Sequence, residues 1–154
     1  SGSTEPASTE LEKGDRMPRK KALKGRMSGR KIREVAFYAG ECCLEKKASE
    51  IVVLDLKKVL DATDYFVIAQ GFTDIHVRAV SQHLQEKLQE KYSLKPWHVE
   101  GFENGRWVLI DYVDFVVHVF QPETRQFYQL ERLWADAGRF EIEDRTPEGK
   151  PAEF

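Results

Sequence analysis

Between Lys95 and Phe120 the chain reads KPWHVEGFENGRWVLIDYVDFVVHVF, and the Asn104-Gly105 pair inside it constrains the fold more than any other feature. Asn-Gly between two runs rich in β-branched and aromatic residues is the strongest short-range hairpin signal, because both residues accept the positive φ of a two-residue turn. With that turn, Glu103 opposes Arg106, Phe102 opposes Trp107, Glu100 opposes Leu109 and His98 opposes Asp111. Opposed residues share a face and successive residues alternate, so the parity of both strands follows. One face carries Trp97, Val99, Gly101, Val108, Ile110 and Tyr112, the other His98, Glu100, Phe102, Trp107, Leu109 and Asp111. A tight turn at Tyr112-Val113 then sets Ile110 against Phe115 and Val108 against Val117 on the first face, and Leu109 against Val116 and Trp107 against His118 on the second. The first face is expected to be apolar core. The second mixes aromatic, aliphatic and charged side chains, the composition of a protein docking surface with an aromatic centre and a polar rim.

The remaining elements fall around this hairpin. Ile32, Val35, Ala36, Ala39 and Cys43 recur at helical spacing from Lys31 to about Lys47. EIVVLDL (50–56) and DYFVIAQG (64–71) read as strands. Thr73 and Asp74 open a helix over 73–91 with Val77, Val80, Leu84 and Leu88 on one stripe. After a strand over 115–120, Gln121-Pro122-Glu123 starts a last helix with Phe127, Leu130 and Trp134 on its inner stripe. The pattern predicts a single α/β domain, a mixed sheet of roughly five strands with about three helices. Residues 31–137 form that domain, 1–30 a disordered basic arm, and 138–154, polar and broken by Pro147 and Pro151, a frayed C-terminal tail.

Charge divides along the same boundaries. Residues 1–33 hold ten Lys/Arg against four Asp/Glu, whereas 34–154 hold 14 against 22. Arg19, Lys20, Lys21, Lys24 and Arg26 in the arm are candidates for weak, sequence-blind RNA phosphate contact, the alternative being a solvated tail. The acidic body suits a basic protein partner better than a nucleic acid. No apolar run approaches the roughly 20 residues of a membrane span and no charged-then-apolar leader is present, so a soluble, cytoplasmic protein is expected. Adjacent Cys42 and Cys43 read as free thiols packed in the core, in keeping with a reducing compartment.

Catalytic and metal chemistry finds little support. His98, Asp111 and His118 share a face, but a closed metal site needs about four ligands and a catalytic one about three with water, so no metal and no cofactor is expected. His76 and His83 fit solvated or capping roles. For Trp107 the alternative to docking is a partly buried core aromatic, and for Asp111 and Asp114 it is turn chemistry, since Asp bonds the backbone two residues on. IAQGFTDIHV offers a strand, a glycine and a helix N-terminus, an anion seat used by nucleotidyltransferases. The strand that follows supplies Glu100 alone, without the paired carboxylates that hold Mg²⁺. A nucleotide- or metal-dependent enzyme is therefore the alternative to a binding protein.

The run DATDYFVIAQGFTDIHVRAVSQHLQEKL, then KPWHVEG, then GRWVLIDYVDFVVHVFQPETRQFYQLERLW strongly resembles the ribosomal silencing factor family, also called RsfS, YbeB or Iojap, over about residues 31–136. Its motifs fall on Asp61, Thr63, Asp64, Tyr65 and Phe66; on Trp107 to Tyr112; on Val116 to Phe120; and on Arg125, Phe127, Tyr128, Leu130, Glu131, Leu133 and Trp134. The resemblance implies a nucleotidyltransferase-like fold without transferase activity. It further implies a protein that binds the large ribosomal subunit through ribosomal protein uL-fourteen, blocks joining of the small subunit and represses translation. Relatives in organelles assist large-subunit assembly, and a homodimer is implied for the free protein. Together with the face reading, the motifs give Trp107, Leu109, Asp111, Tyr112, Asp114, His118 and Phe120 as the expected partner-binding residues. The family usually has glycine where this chain has Val113, which argues against a positive-φ turn there.

Overall fold

A computed structural model describes residues 27–143. The first helix, α1 (Gly29–Glu45), starts two residues before the expected boundary because Ser28 caps it, its hydroxyl accepting from the Lys31 N–H at 3.1 Å. Strands β1 (Ser49–Asp55) and β2 (Tyr65–Gln70) follow, then α2 (Asp74–Tyr92), capped by Thr73 through the His76 N–H. Strands β3 (His98–Glu100), β4 (Trp107–Asp111) and β5 (Phe115–Phe120) lead into α3 (Pro122–Tyr128) and the single turn α4 (Leu130–Leu133). A last strand, β6 (Gly138–Ile142), closes the described chain. The α/β class and the mixed sheet are as expected. The sheet has six strands in the order β3-β4-β5-β2-β1-β6, all neighbours antiparallel except β2 and β5.

Both faces of the sheet are covered, which explains the nearly continuous apolar runs of β1, β2 and β5. On one face Val53, Val67, Val108, Ile110 and Val117 pack against the inner stripes of α1 and α2, including Val35, Ala39, Val77 and Leu84. Cys42 and Cys43 lie buried there as free thiols, and burial raises the pKa of both, Cys42 to about 11. On the other face Leu54, Phe66, Ile68, Trp107, Leu109 and Phe120 pack with Leu130 and Trp134.

Four expectations are corrected. Residues 138–142 are a strand: β6 pairs with β1 from Ile51↔Ile142 to Asp55↔Gly138, and Phe140 meets Phe37 edge-to-face at 5.6 Å. The period-2 alternation of Arg139, Phe140, Glu141 and Ile142 fits an edge strand, but it is only five residues long and its partner lies some ninety residues back along the chain, so no local signal announces it. The β3–β4 register is as predicted, His98 opposite Asp111 and Glu100 opposite Leu109, but strand pairing stops there. Residues 101–106 form a wider loop in which the Gly105 N–H bonds the Gly101 carbonyl at 3.0 Å, both glycines at positive φ, and Phe102 packs on the helical side. The β4–β5 register is shifted by two residues, placing Ile110 opposite Val117 and Trp107 opposite Phe120. The turn is Val113-Asp114, closed by the Tyr112 N–H to the Phe115 carbonyl at 2.9 Å, and Val113 takes φ +76°. A shift of two preserves the parity of every side chain. The predicted last helix breaks at Gln129, whose left-handed backbone (φ 47°, ψ 53°) separates α3 from α4.

Candidate docking face

The expected docking residues lie together on the hairpin β4–β5, and the structure buries them. Trp107 is 1% exposed, and Leu109, Asp111, Asp114, His118 and Phe120 are likewise buried. Tyr112 belongs to the opposite, helical face, its ring stacked on Phe115 at 4.9 Å. The open, mixed face expected from composition is therefore a second core layer. Aromatics and aliphatics of β2, β4 and β5 present more apolar surface there than a sheet can leave in water, and the residues after β5 fold back over it.

The layer is organised around a tryptophan–histidine pair. The Trp107 indole Nε1–H donates to His118 Nδ1 at 3.1 Å, which fixes His118 as the Nε2–H tautomer. Its ring packs edge-on to Phe66 at 4.5 Å, and Nε2 has no hydrogen-bond partner among the described residues. Burial in this aromatic setting pushes its pKa down from 6.5 to about 3, so His118 is neutral. Trp107 stacks on Phe120 at 4.8 Å and meets the Tyr128 ring at a tilt at 4.7 Å.

Asp111 does turn chemistry through its carboxylate, and Asp114 takes part in the turn through its backbone. Asp111 Oδ1 accepts from the Val113 N–H at 2.8 Å, and the Asp114 N–H bonds the Tyr112 carbonyl at 2.9 Å. The latter closes a three-residue γ-turn around Val113, of the rarer, positive-φ hand. The Asp114 carbonyl accepts from the Asp64 N–H at 2.9 Å, tying this turn to the start of β2.

Above the layer, Arg125 is buried and grips two elements. Its Nη1 donates to the Glu50 carbonyl at 2.6 Å, and Nε and Nη2 reach the Glu131 carboxylate at 3.2 and 2.8 Å. Arg139 joins Glu131 at 3.3 Å. Burial raises the Glu131 pKa, but the two arginines outweigh it and leave the carboxyl below its ordinary value. Sequence reasoning did not find this clasp, since Arg125 and Glu131 stand six residues apart across the break at Gln129.

The anion seat is already furnished with internal partners. The Phe72 N–H donates to His76 Nδ1 at 3.0 Å, the His76 N–H to Thr73 Oγ1 at 3.0 Å, and the Val77 N–H to the Thr73 carbonyl at 2.9 Å. His76 is thus a capping residue, and His83 pairs with Glu45 at 2.7 Å. His98 lies opposite Asp111 but 3.5 Å from Glu100, whereas His118 is sealed beneath Trp107, and no group of three metal-ligating side chains occurs among the described residues. No helix among them is long and apolar enough to cross a membrane. Arg19, Lys20, Lys21, Lys24 and Arg26 lie outside the described residues.

Comparison with known proteins adds the following. A family model described as ribosomal silencing factor during starvation matches residues 30–153. The chain is similar to the ribosomal silencing factor RsfS of Halalkalibacterium halodurans, 38% identical over 117 residues, covering 76% of this chain and 97% of the relative. It is similar to that of Bacillus subtilis, 38% identical over 105 residues, covering 68% and 88%. A crystal structure of a Chromobacterium violaceum protein superposes with a TM-score of 0.64 at 30% identity, covering 79% of this chain and 99% of that one. The match along nearly the whole folded chain, in sequence and in fold, places it in one family: the chain belongs to the ribosomal silencing factors.

Proposed function

We propose that this protein is a cytoplasmic translational silencer that binds the large ribosomal subunit through ribosomal protein uL-fourteen and sterically blocks joining of the small subunit. It acts by occupying a surface, as a binding protein and not as a catalyst, and it is a homodimer when free. A contribution to large-subunit assembly belongs to the same binding event. The observation that carries this reading is the family match over residues 30–153, which spans the entire sheet and all its helices. The acidic body, 22 acidic against 14 basic residues over 34–154, supports a basic protein partner. Trp107, Leu109, Asp111, Asp114, His118 and Phe120 support the partner-binding surface from beneath as buried side chains, whereas Tyr112 lies on the helical face and is not part of it. Arg19, Lys20, Lys21, Lys24 and Arg26 add ribosomal RNA phosphate contacts.

Sedimentation with purified subunits tests the proposal. The protein is expected to travel with free large subunits and to be scarce on joined ribosomes. Equal association with isolated small subunits would sink it. Removing residues 16–26 is expected to flatten the salt dependence of binding by about 0.7–0.9 in log–log slope per lost phosphate contact.

A further inference from the structure

On the helical side of the sheet, between α2 and the edge strand β3, a groove of about 870 Å³ opens to solvent. Leu94, Pro96, Val99 and Phe102 form its apolar floor, each half-buried, and Glu86 and Glu90 stand exposed on its rim. The described chain begins near one end of it. Met27 is partly buried on the same core cluster as Tyr92, Leu94, Val99 and Phe102. The start of α1 lies beside the C-terminal end of α2, because the Tyr92 hydroxyl donates to Glu34 at 2.8 Å and the Lys31 ammonium sits 5.1 Å over the Tyr92 ring. Ser28 is extended (φ −68°, ψ 159°), so the chain enters α1 from the side and not along its axis.

The segment just before Met27 has the reach and the chemistry to fill this groove. From Tyr92 to Gln82, at the far end, α2 rises about 15 Å, which about five residues of chain can span. Residues 17–26, MPRKKALKGR, offer Leu23 and Ala22 as apolar side chains among five basic ones and no acid. The rim suits them. Glu86 has only a long contact from Gln82 at 3.5 Å, and Glu90, 69% exposed, lies 3.6 Å from Lys87, so both carboxylates remain open to a further cation. Lys95, just past α2, is the cation on the groove's lining. Leu23 is only four residues from Met27, and a tether that short raises its effective concentration at the floor so far that modest contacts suffice.

We propose that residues 17–26 occupy this groove in the free protein, Leu23 on the apolar floor and Lys20, Lys21 and Lys24 along the Glu86 and Glu90 rim, and that RNA competes with the groove for those lysines. The groove contact goes beyond the silencer reading, and the competition rests on its RNA contacts. Paramagnetic broadening in the full chain tests both. Cys42 and Cys43 are fully buried and burial raises both thiol pKa values, so a nitroxide reagent goes to the cysteine of a Pro18→Cys chain. The label is expected to broaden the amide signals of Gln82 and Gln85 more than that of Glu41, which is exposed on α1. Leu23→Ser in the labelled chain is expected to lower the docked-to-free ratio by about 10- to 100-fold, bringing Gln82 and Gln85 to the level of Glu41. Glu86→Lys is expected to lower it by a smaller factor that shrinks as salt is raised. Equal broadening with and without Leu23 overturns the groove as the docking place, and no effect of Glu86→Lys overturns the rim contacts. Broadening of unlabelled, isotope-enriched chains mixed with labelled ones assigns the segment to a second copy's groove and overturns the intrachain contact. Polyuridylate is expected to relieve the broadening at Gln82 and Gln85, and its persistence at saturating polyuridylate overturns the competition. None of these measurements uses a ribosome, so their failure leaves the silencer reading intact, and failure to bind large subunits leaves the groove contact intact.

Discussion

At Val113 a β-branched residue sits at φ +76°, where its Cβ crowds the backbone, a conformation that costs of order 1–3 kcal/mol. The Asp111 carboxylate and the γ-turn hold it there. Glycine would relieve the strain, while alanine would keep much of it and lose the valine packing. Val113→Gly is therefore expected to be at least as stable as Val113→Ala in denaturant titrations, whereas at Val117, in regular strand, the order should reverse. The sequence made Val113 look like an obstacle to a positive-φ turn, because it does not display the carboxylate that stabilises one. His118 offers a test by pH. Its folded pKa of about 3 lies below the ordinary 6.5, so between those values the unfolded chain binds a proton that the native chain refuses. Stability is then complete above about pH 6.5 and falls as pH drops toward 3, by at most about 1.4 kcal/mol per pH unit for this group. His118→Gln, which keeps an acceptor for the Trp107 indole, is expected to shed one proton's worth of that slope in unfolding measured across pH 3–7.

At the scale of elements, alternation and the β3–β4 register were legible and the β4–β5 register was not. The parity of β4 and β5 follows from period-2 patterning alone, and a slip of two residues leaves it intact, so their side chains were divided correctly between the two faces without the right β4–β5 pairs. The wider 101–106 loop was hidden for a related reason. Lengthened symmetrically about Asn104-Gly105, it leaves His98 opposite Asp111 as a two-residue turn would. What patterning could not show was the cover on the second face, since Trp107 and Leu109 in a mixed strand read equally as anchors or as core. Trp107→Ala is accordingly expected to cost about 3–5 kcal/mol, and Ile110→Ala about 2–5 kcal/mol, so the two faces should respond alike in thermal unfolding. The loop itself is fitted closely to α2. A Cβ on Gly105 would lie 2.7 Å from Asp74 Cβ and 3.0 Å from its Cα, whereas one on Gly29 meets nothing within 4 Å. With the added penalty for alanine at φ +76°, Gly105→Ala should lose at least about 1–2 kcal/mol, and Gly29→Ala should lose none.

For the whole molecule, the α/β class, the stripes of α1 and α2 and the acidic body could be read directly from periodicity and charge, whereas the stripe of the last helix, broken at Gln129, and β6 could not, the latter because a strand added at a sheet edge answers to a partner some ninety residues away. The central parallel pair, β2 beside β5 from Tyr65↔Phe115 to Gln70↔Phe120, joins segments fifty residues apart, and everything between them must be ordered before that seam closes. During synthesis α1, β1, β2 and α2 are complete long before β5 exists, leaving one side of β2 as a bare hydrogen-bonding rail beside apolar Phe66 and Ile68. Refolding of the intact domain should therefore be slow for its size, on the order of milliseconds to seconds by stopped flow, because long-range closure precedes reward. A fragment ending at Tyr112 should fail to fold and should self-associate by light scattering, while one that includes β5 should not. A nascent chain halted between those two points is half a sheet in search of its middle strand, and it needs shielding until Phe120 has been made.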